Sequence, residues 1–176
     1  LLCYPRSPMA TARLIISDSE KNANLYYATR FLAPDPFIFA QVDPPTWPGG
    51  GTGGRKIMVM NDLELDRAKA QAQVDEVLSY TKLSQDAKQG GVSAPTMLDV
   101  VDTLLKGHAV RQIEVPADFS LAHADGLRKR GYTLKVKADP FYPERMVKSK
   151  EEIMQLTESL RITEAALGSA IELIRN

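Results

Sequence analysis

The chain has 176 residues, with 22 basic and 22 acidic side chains, so its formal net charge is zero. This length suits one domain with its own core, and 44% hydrophobic and 25% charged residues are typical of globular proteins. Balanced charge argues against nucleic-acid or membrane partners, and no apolar run reaches the roughly 20 residues that span a bilayer. The one cysteine, Cys3, cannot form an internal disulfide, which favours a cytoplasmic location.

The sequence pattern in the first half of the chain predicts mainly strands and one helix. Residues 1–11 are expected to form an irregular tail. Asp62 is predicted to cap a helix over 63–72, because a carboxylate there accepts hydrogen bonds from free amides of the first turn. Short apolar runs predict strands at 12–17, 25–28, 37–42 and 57–60, with a further weak strand signal at 74–78.

In the second half, helices and strands alternate. Residues 84–94 are predicted to form a loop, and Pro95 is predicted to open a helix that runs to Leu105. Strands are predicted at 110–115 and 133–137, with a helix at 120–130 between them. Alternation of this kind predicts an α/β fold in which helices flank a mixed sheet.

A long amphipathic helix is predicted at the end of the chain. Ser149 is its expected N-cap, and acidic residues follow in the first turn, where the helix dipole favours them. About 25 residues would span about 38 Å, and so long a helix is expected to lead into a further part of the protein. Its inward positions recur in steps of three and four at Ile153, Leu156, Leu160, Thr163, Leu167, Ala170 and Ile174.

Three segments together resemble motifs of the creatinase, prolidase and Xaa-Pro aminopeptidase family. Residues 145–153 fit the pattern R-x-x-K-S-x-x-E-I of the family's interdomain linker. Residues 24–31 resemble its N-x-x-Y-L-T-G-F segment, and residues 57–68 resemble a strand followed by the helix motif L-E-x-x-R-A. The resemblance extends over residues 12–167, which is nearly the whole chain.

This resemblance implies an RNase-H-like, non-catalytic amino-terminal domain over 12–147. Residues 148–176 would be a linker helix to a catalytic domain that the sequence lacks. In the intact protein, a dinuclear manganese, cobalt or zinc site would be held there by two Asp, one His and two Glu. The implied activity is that of an Xaa-Pro aminopeptidase or dipeptidase, and the domain would cap the active site and aid homodimerisation.

Two alternatives remain open on the sequence. The chain could be a stand-alone binding module that kept the capping fold without catalysis. It could also be the amino-terminal domain of a creatinase-like amidinohydrolase, which cleaves a different C–N bond. Both histidines, His108 and His123, are interpreted as ordinary surface residues because no set of metal ligands surrounds them. We therefore expect no catalytic or metal-binding residue on this chain.

The loop from Arg30 to Phe37 is the candidate substrate-proximal segment. In the resembled family, the corresponding turn can approach the catalytic pocket, which suggests roles for Arg30, Phe31 and Asp35. Arg30 could attract a peptide carboxylate, and Asp35 could attract a peptide amine. Arg30 replaces the family's usual glycine, so the turn is expected to lose the left-handed backbone conformation that glycine adopts easily.

Two candidate interfaces complete the sequence predictions. Trp47, within a Pro- and Gly-rich insert, is a candidate contact residue because exposed tryptophan often anchors interfaces. The stripe of the long helix is the other, represented by Ile153, Leu156, Leu160, Leu167 and Ile174. The glycines at 49–54 formally fit G-x-G-x-x-G, but prolines precede them and a strand follows. A hairpin loop therefore explains them better than a phosphate site.

Overall fold

A computed structural model of the chain describes residues 10–43 and 54–175. The chain divides into two compact units, with the boundary between Phe141 and Tyr142. The predicted role of Trp47 lies outside the described residues. Among the described helices, none combines the length and the hydrophobicity needed to cross a membrane.

The first unit combines strands with helices, and the two alternate over residues 97–137, as the sequence predicted. The second unit contains a short 3₁₀ helix, Pro143–Met146, and the long helix α6, Lys150–Arg175. The elements of the first unit are β1 (Ala10–Ser17), α1 (Ala23–Thr29), β2 (Phe37–Asp43), β3 (Arg55–Met60), α2 (Leu65–Gln71), β4 (Glu76–Ser79), α3 (Tyr80–Gln89), α4 (Met97–Gly107), β5 (Val110–Pro116), α5 (Leu121–Lys129) and β6 (Thr133–Lys137).

The strands form one sheet in the order β4-β3-β2-β1-β5-β6. Strand β2 is antiparallel to both β1 and β3, whereas the pairs β3–β4, β1–β5 and β5–β6 are parallel. Parallel neighbours require crossover connections, and the intervening helices supply them. The predicted mixed sheet flanked by helices is confirmed.

One face of the sheet carries the main hydrophobic core. Successive residues of a strand point to opposite faces of the sheet. Every second residue of the central strands therefore faces this core. Helices α4 and α5 close it with buried side chains, and α3 adds partly buried ones. The fully or almost fully buried members include Leu14, Ile38, Ala40, Ile57, Val59, Val101, Leu105, Ile113 and Leu127.

The opposite face of the sheet is divided between apolar and polar residues. Ile15, Phe39 and Met58 lie opposite one another on neighbouring strands, and all three are buried. Each such side chain contributes roughly 1.5–3 kcal/mol to folding through removal of apolar surface from water. Further along β1 and β2, the same face presents polar side chains, including Arg13 opposite Gln41.

Reciprocal capping boxes fix the starts of α4 and α6. In α4, Thr96 and Asp99 form a capping box in which each side chain accepts a hydrogen bond from the other residue's backbone N–H. At α6, the Ser149 hydroxyl accepts from the N–H of Glu152 at 3.2 Å, and the Glu152 carboxylate accepts from the N–H of Ser149 at 2.9 Å. The predicted N-cap of the long helix is confirmed.

Two of the predicted elements are wrong. Residues 25–28 were predicted as a strand, but they lie in helix α1 because the Asn22 side chain accepts from the N–H of Leu25 at 2.9 Å and caps it. Much of the predicted loop at 84–94 belongs to helix α3. Ser79 caps that helix by accepting from the N–H of Lys82 at 3.1 Å.

The predicted cap of α2 is also wrong. Asn61, rather than Asp62, accepts the N–H of Glu64, at 2.9 Å, and α2 begins later than predicted, at Leu65. The Asp62 carboxylate instead accepts a hydrogen bond from the Ser79 hydroxyl at 2.6 Å. Hydrogen bonding to the Ser79 side chain, followed by that to Thr81, lowers the pKa of Asp62. Asp62 therefore links the turn before α2 to the start of α3.

Candidate functional site

The candidate substrate-proximal loop begins where α1 ends. Arg30 is the C-cap residue of α1 and adopts φ 51° and ψ 26°, which is the left-handed conformation. The prediction that arginine would lose this conformation is wrong. The Arg30 N–H donates to the carbonyl of Tyr26 at 2.7 Å, which satisfies a helix-terminal acceptor and stabilises the turn.

The Arg30 side chain also contributes to the turn. Its guanidinium lies 5.0 Å from the centre of the Tyr27 ring, within the range of a cation–π interaction. Such a contact contributes about 0.5–1 kcal/mol at a partly exposed site. A left-handed non-glycine residue costs roughly 1–2 kcal/mol, so the ring contact offsets part of that cost.

Phe31 is a buried anchor of the loop. Its side chain is only 1% exposed, and its ring meets Phe37 of β2 edge-on at a centroid separation of 6.3 Å. The guanidinium of Arg67, on α2, lies 4.2 Å from the centre of the Phe31 ring. Phe31 therefore fixes the loop against the sheet, while neighbouring residues supply its exposed surface.

The Arg67 side chain also holds the loop by hydrogen bonds to the loop's backbone. Both terminal nitrogens of its guanidinium donate to the carbonyl of Leu32 at 3.0 Å. The Arg67 Nε also donates to Glu64 at 2.6 Å, which keeps the guanidinium oriented toward the loop. Sequence reasoning gave Arg67 no role, although it lies in the segment that resembles the family motif L-E-x-x-R-A.

A second clamp acts one residue further along the loop. The buried Ser19 hydroxyl accepts from the N–H of Ala33 at 2.8 Å, and the Ser19 N–H donates to the Ala33 carbonyl at 3.2 Å. Leu32, whose carbonyl accepts from Arg67, remains 53% exposed. Asp35 is also exposed, at the bend before β2. The structure thus brings Arg30, Phe31 and Asp35 into one anchored loop.

Lys56 adds a further cation to this side of the molecule. Its Nζ donates to the carbonyl of Ala28 in α1 at 3.0 Å. Burial lowers the pKa of the Lys56 ammonium, Asp75 opposes the change, and the charge of Arg30 adds to the lowering. Lys56 and Arg30 therefore both place positive charge beside the C-terminal end of α1.

The described residues do not fit a metal centre. Within 10–43 and 54–175, no group of three or more His, Cys, Asp or Glu side chains is placed to hold a metal ion. His108 is the C-cap residue of α4, and His123 lies on α5 with its ring 6.0 Å from that of Phe119. A dinuclear site with five ligands cannot be assembled from these residues.

The candidate interface stripe is confined to α6. No described residue of this helix is buried. An exposed apolar stripe of this length is unusual for an isolated surface helix and marks a candidate contact surface. The stripe residues that are each more than half exposed are Ile153, Leu156, Leu160, Leu167 and Ile174.

The fold is similar to parts of several solved peptidase structures. The X-Pro aminopeptidase from Thermotoga maritima matches with a TM-score of 0.68 and 16% sequence identity, over 92% of this chain and 40% of that chain. The Xaa-Pro dipeptidase from Bacillus anthracis matches with a TM-score of 0.65 and 13% identity, over 93% of this chain and 38% of that chain. The prolidase from Pyrococcus horikoshii matches with a TM-score of 0.60 and 18% identity, over 94% of this chain and 39% of that chain.

The similarity is one of fold. No protein-family model matches the sequence, and a search of curated proteins finds no match. The chain spans about two fifths of the length of the peptidase chains that it matches. The fold indicated by the sequence motifs is confirmed: this chain has the fold that part of each of these Xaa-Pro peptidases and prolidases adopts.

Proposed function

We propose that this chain is the non-catalytic amino-terminal domain of a metal-dependent Xaa-Pro aminopeptidase or dipeptidase. The observation that carries the proposal is the fold match over 92% of this chain and only 40% of the T. maritima X-Pro aminopeptidase chain. The described residues supply no group of metal ligands, so the chemistry is assigned to a separate catalytic domain. A dinuclear manganese, cobalt or zinc site would lie in that domain.

In this proposal, the loop after α1 borders the substrate entrance. Arg30 is a partly exposed residue, and Lys56 adds positive charge near the end of α1. A peptide carboxylate at the entrance would be attracted by this pair, and the exposed Asp35 would attract a peptide ammonium group. Phe31 and Arg67 would hold the loop in place, because a loop that limits substrate length must resist displacement by the substrate.

Helix α6 supports the proposed assembly. Its apolar stripe would pack against the protein's own catalytic domain or against a second copy of the chain, since exposed apolar surface of this extent tends to associate. The Ser149–Glu152 capping box fixes where the helix begins. The intact protein is accordingly proposed to be a homodimer that acts on peptide substrates.

The coding sequence downstream of Asn176 tests the domain assignment. The proposal expects it to continue into a segment about one and a half times as long as this chain, because the chain is about two fifths of its matches. That segment should contain two Asp, one His and two Glu as metal ligands. A stop codon directly after Asn176 would contradict the proposal and favour a stand-alone binding module.

Activity of the longer product would then separate peptidase from creatinase-like chemistry. We expect cleavage of Xaa-Pro peptides that requires a divalent metal. A longer product that hydrolyses creatine and leaves Xaa-Pro peptides intact would overturn the peptidase assignment while retaining the domain assignment.

A further inference from the structure

The apolar stripe of α6 has the period of a coiled coil. Its six steps from Ile153 to Ile174 cover 21 residues, a mean of 3.5 residues per step. Because an α-helix has 3.6 residues per turn, a stripe of this period stays in contact with a second helix only when the two wind around each other. In heptad notation, the a positions are Ile153, Leu160, Leu167 and Ile174, and the d positions are Leu156, Thr163 and Ala170.

This stripe is open to solvent over its whole length. The exposed fraction of its large apolar side chains rises from 52% at Ile153 to 85% at Ile174. Most of the stability of a protein helix comes from packing of its apolar face, so α6 requires a partner for this stripe. A domain with an irregular surface imposes no seven-residue repeat on the helix that it covers. A second copy of α6 carries the same repeat and can match it layer by layer.

The sizes of the stripe residues favour an antiparallel pair. Two d positions are small, Thr163 and Ala170. A parallel pair would place each of them opposite its own copy, so the Ala170 layer would be underfilled. In an antiparallel pair, each a position faces a d position of the second copy, and every layer receives at least one large side chain. The layers are Ile153 with Ala170, Leu156 with Leu167, and Leu160 with Thr163, each formed twice.

The residues beside the stripe select this alignment. Glu164 occupies an e position, and in the alignment described it faces Thr157 of the second copy. Shifting the copies by one heptad toward their carboxyl ends would place Glu164 opposite its own copy, and like charges in that position repel. The opposite shift would remove two of the six layers. The alignment described also sets Lys150 beside Ile171, where the aliphatic stem of the lysine can cover the isoleucine.

We propose that α6 pairs with α6 of a second copy of this chain as an antiparallel, two-stranded coiled coil. Each copy contributes the stripe residues from Ile153 to Ala170. This inference deepens the homodimer of the proposed function by assigning its contact, but it rests on α6 alone. A stop codon directly after Asn176 would contradict the domain assignment and leave the helix pair unaffected. A monomeric chain would contradict the helix pair and leave the domain assignment unaffected.

Analytical ultracentrifugation and disulfide cross-linking of the purified 176-residue chain test the pair, and we expect the chain to sediment as a dimer. In the antiparallel pair, Leu156 faces Leu167 of the second copy. The two copies of Leu156 are therefore offset by 11 residues, or about 16 Å along the axis. In a Cys3→Ser background, Leu156→Cys and Leu167→Cys should form a disulfide with each other when mixed in a glutathione redox buffer. Neither variant should link to itself, because a disulfide requires Cβ atoms in close approach.

Glu158→Cys is the matched control for cross-linking. Glu158 occupies an f position, away from the stripe, and its side chain is 65% exposed, so this variant should not link to Leu167→Cys. Circular dichroism checks that each variant keeps the helix. A chain that stays monomeric at every concentration would overturn the proposal and leave the catalytic domain as the partner of the stripe. Self-linking of Leu156→Cys would overturn the antiparallel direction, and linking of the control as readily as of the matched pair would overturn the assigned contact.

Discussion

The guanidinium of Arg67 lies 4.2 Å from the centre of the Phe31 ring, and its terminal nitrogens donate to the carbonyl of Leu32. One side chain of α2 thus contacts both the buried anchor and the exposed backbone of the loop after α1. The loop retains the left-handed turn at Arg30 within this arrangement. Its geometry is therefore set by tertiary contacts as well as by its own sequence.

Replacing Arg67 tests this anchoring. Arg67→Ala removes hydrogen bonds from a charged donor and a cation–π contact, so we expect a loss of about 1–3 kcal/mol in the free energy of unfolding. Urea denaturation measures the loss. Arg128→Ala is the matched control, because its ion pair with Asp125 is half exposed and should contribute less than about 0.5 kcal/mol. Equal losses in the two variants would show that Arg67 has no special role.

Substitutions at Arg30 test the left-handed turn. Arg30→Gly should keep or slightly raise the melting temperature, since it removes strain of roughly 1–2 kcal/mol but also removes the contact with Tyr27. Arg30→Val should destabilise the chain by at least about 1 kcal/mol, because a β-branched side chain tolerates positive φ poorly. Thermal unfolding followed by circular dichroism distinguishes the two. A valine variant as stable as the glycine variant would contradict the observed turn.

The hydrogen bonds to the Asp99 carboxylate are expected to stabilise the fold by an amount that falls in acid. The Thr96 hydroxyl donates to its carboxylate at 2.6 Å, as does Arg130, and these bonds lower the pKa of Asp99 from 3.8 to about 2. Because the folded-state pKa is depressed, the stabilisation is fully present above about pH 5 and is lost as pH falls toward 2. It amounts to at most about 2 kcal/mol, reduced by solvent screening.

Comparison of Asp99→Asn with the parent chain measures that contribution. The difference in free energy of unfolding should be largest at pH 7 and should shrink as pH falls toward 2. Asp125→Asn provides a control on α5, where an exposed pair should contribute less than about 0.5 kcal/mol. A difference for Asp99→Asn that stays constant from pH 7 to pH 2 would rule out the linkage.

Self-association tests the stripe of α6. Truncation after Lys148 should convert a dimer of the isolated chain to a monomer, as measured by analytical ultracentrifugation. Leu156→Gln combined with Leu160→Gln should do the same, because glutamine preserves helix propensity while removing apolar surface. Glu158→Gln, at an exposed position off the stripe, should leave the dimer unchanged. A dimer that persists after truncation would remove the stripe from the interface.

The sequence predicted those elements whose local pattern agrees with their final environment. Strands β1, β2 and β5 have apolar runs that remain buried, and α4 carries both its cap and its apolar face within its own sequence. Helix α1 was missed because Tyr26 and Tyr27 favour strands, whereas the cap at Asn22 determines the outcome. Helix α3 was missed because it buries little, with Ala87 its one buried residue.

The sites were harder to predict than the elements. Arg30 could be selected from a motif and Asp35 from the loop that follows it, but Arg67 acquires its role only when α2 packs beside the loop. The pairing of Arg13 with Glu114 likewise joins parallel strands that are distant in sequence. Strand register between such distant segments is set by the whole fold, so local patterns do not reveal it.

The most direct test of the central claim is hydrolysis of an Xaa-Pro dipeptide and a longer Xaa-Pro peptide by the purified 176-residue chain. Each reaction would be run without metal and with added manganese, cobalt or zinc, with metal content measured in parallel. The longer gene product, where the coding sequence continues, is the positive control. We predict metal-dependent turnover by the longer product and neither turnover nor metal uptake by this chain. Metal-dependent turnover by this chain alone would contradict its assignment as a non-catalytic domain.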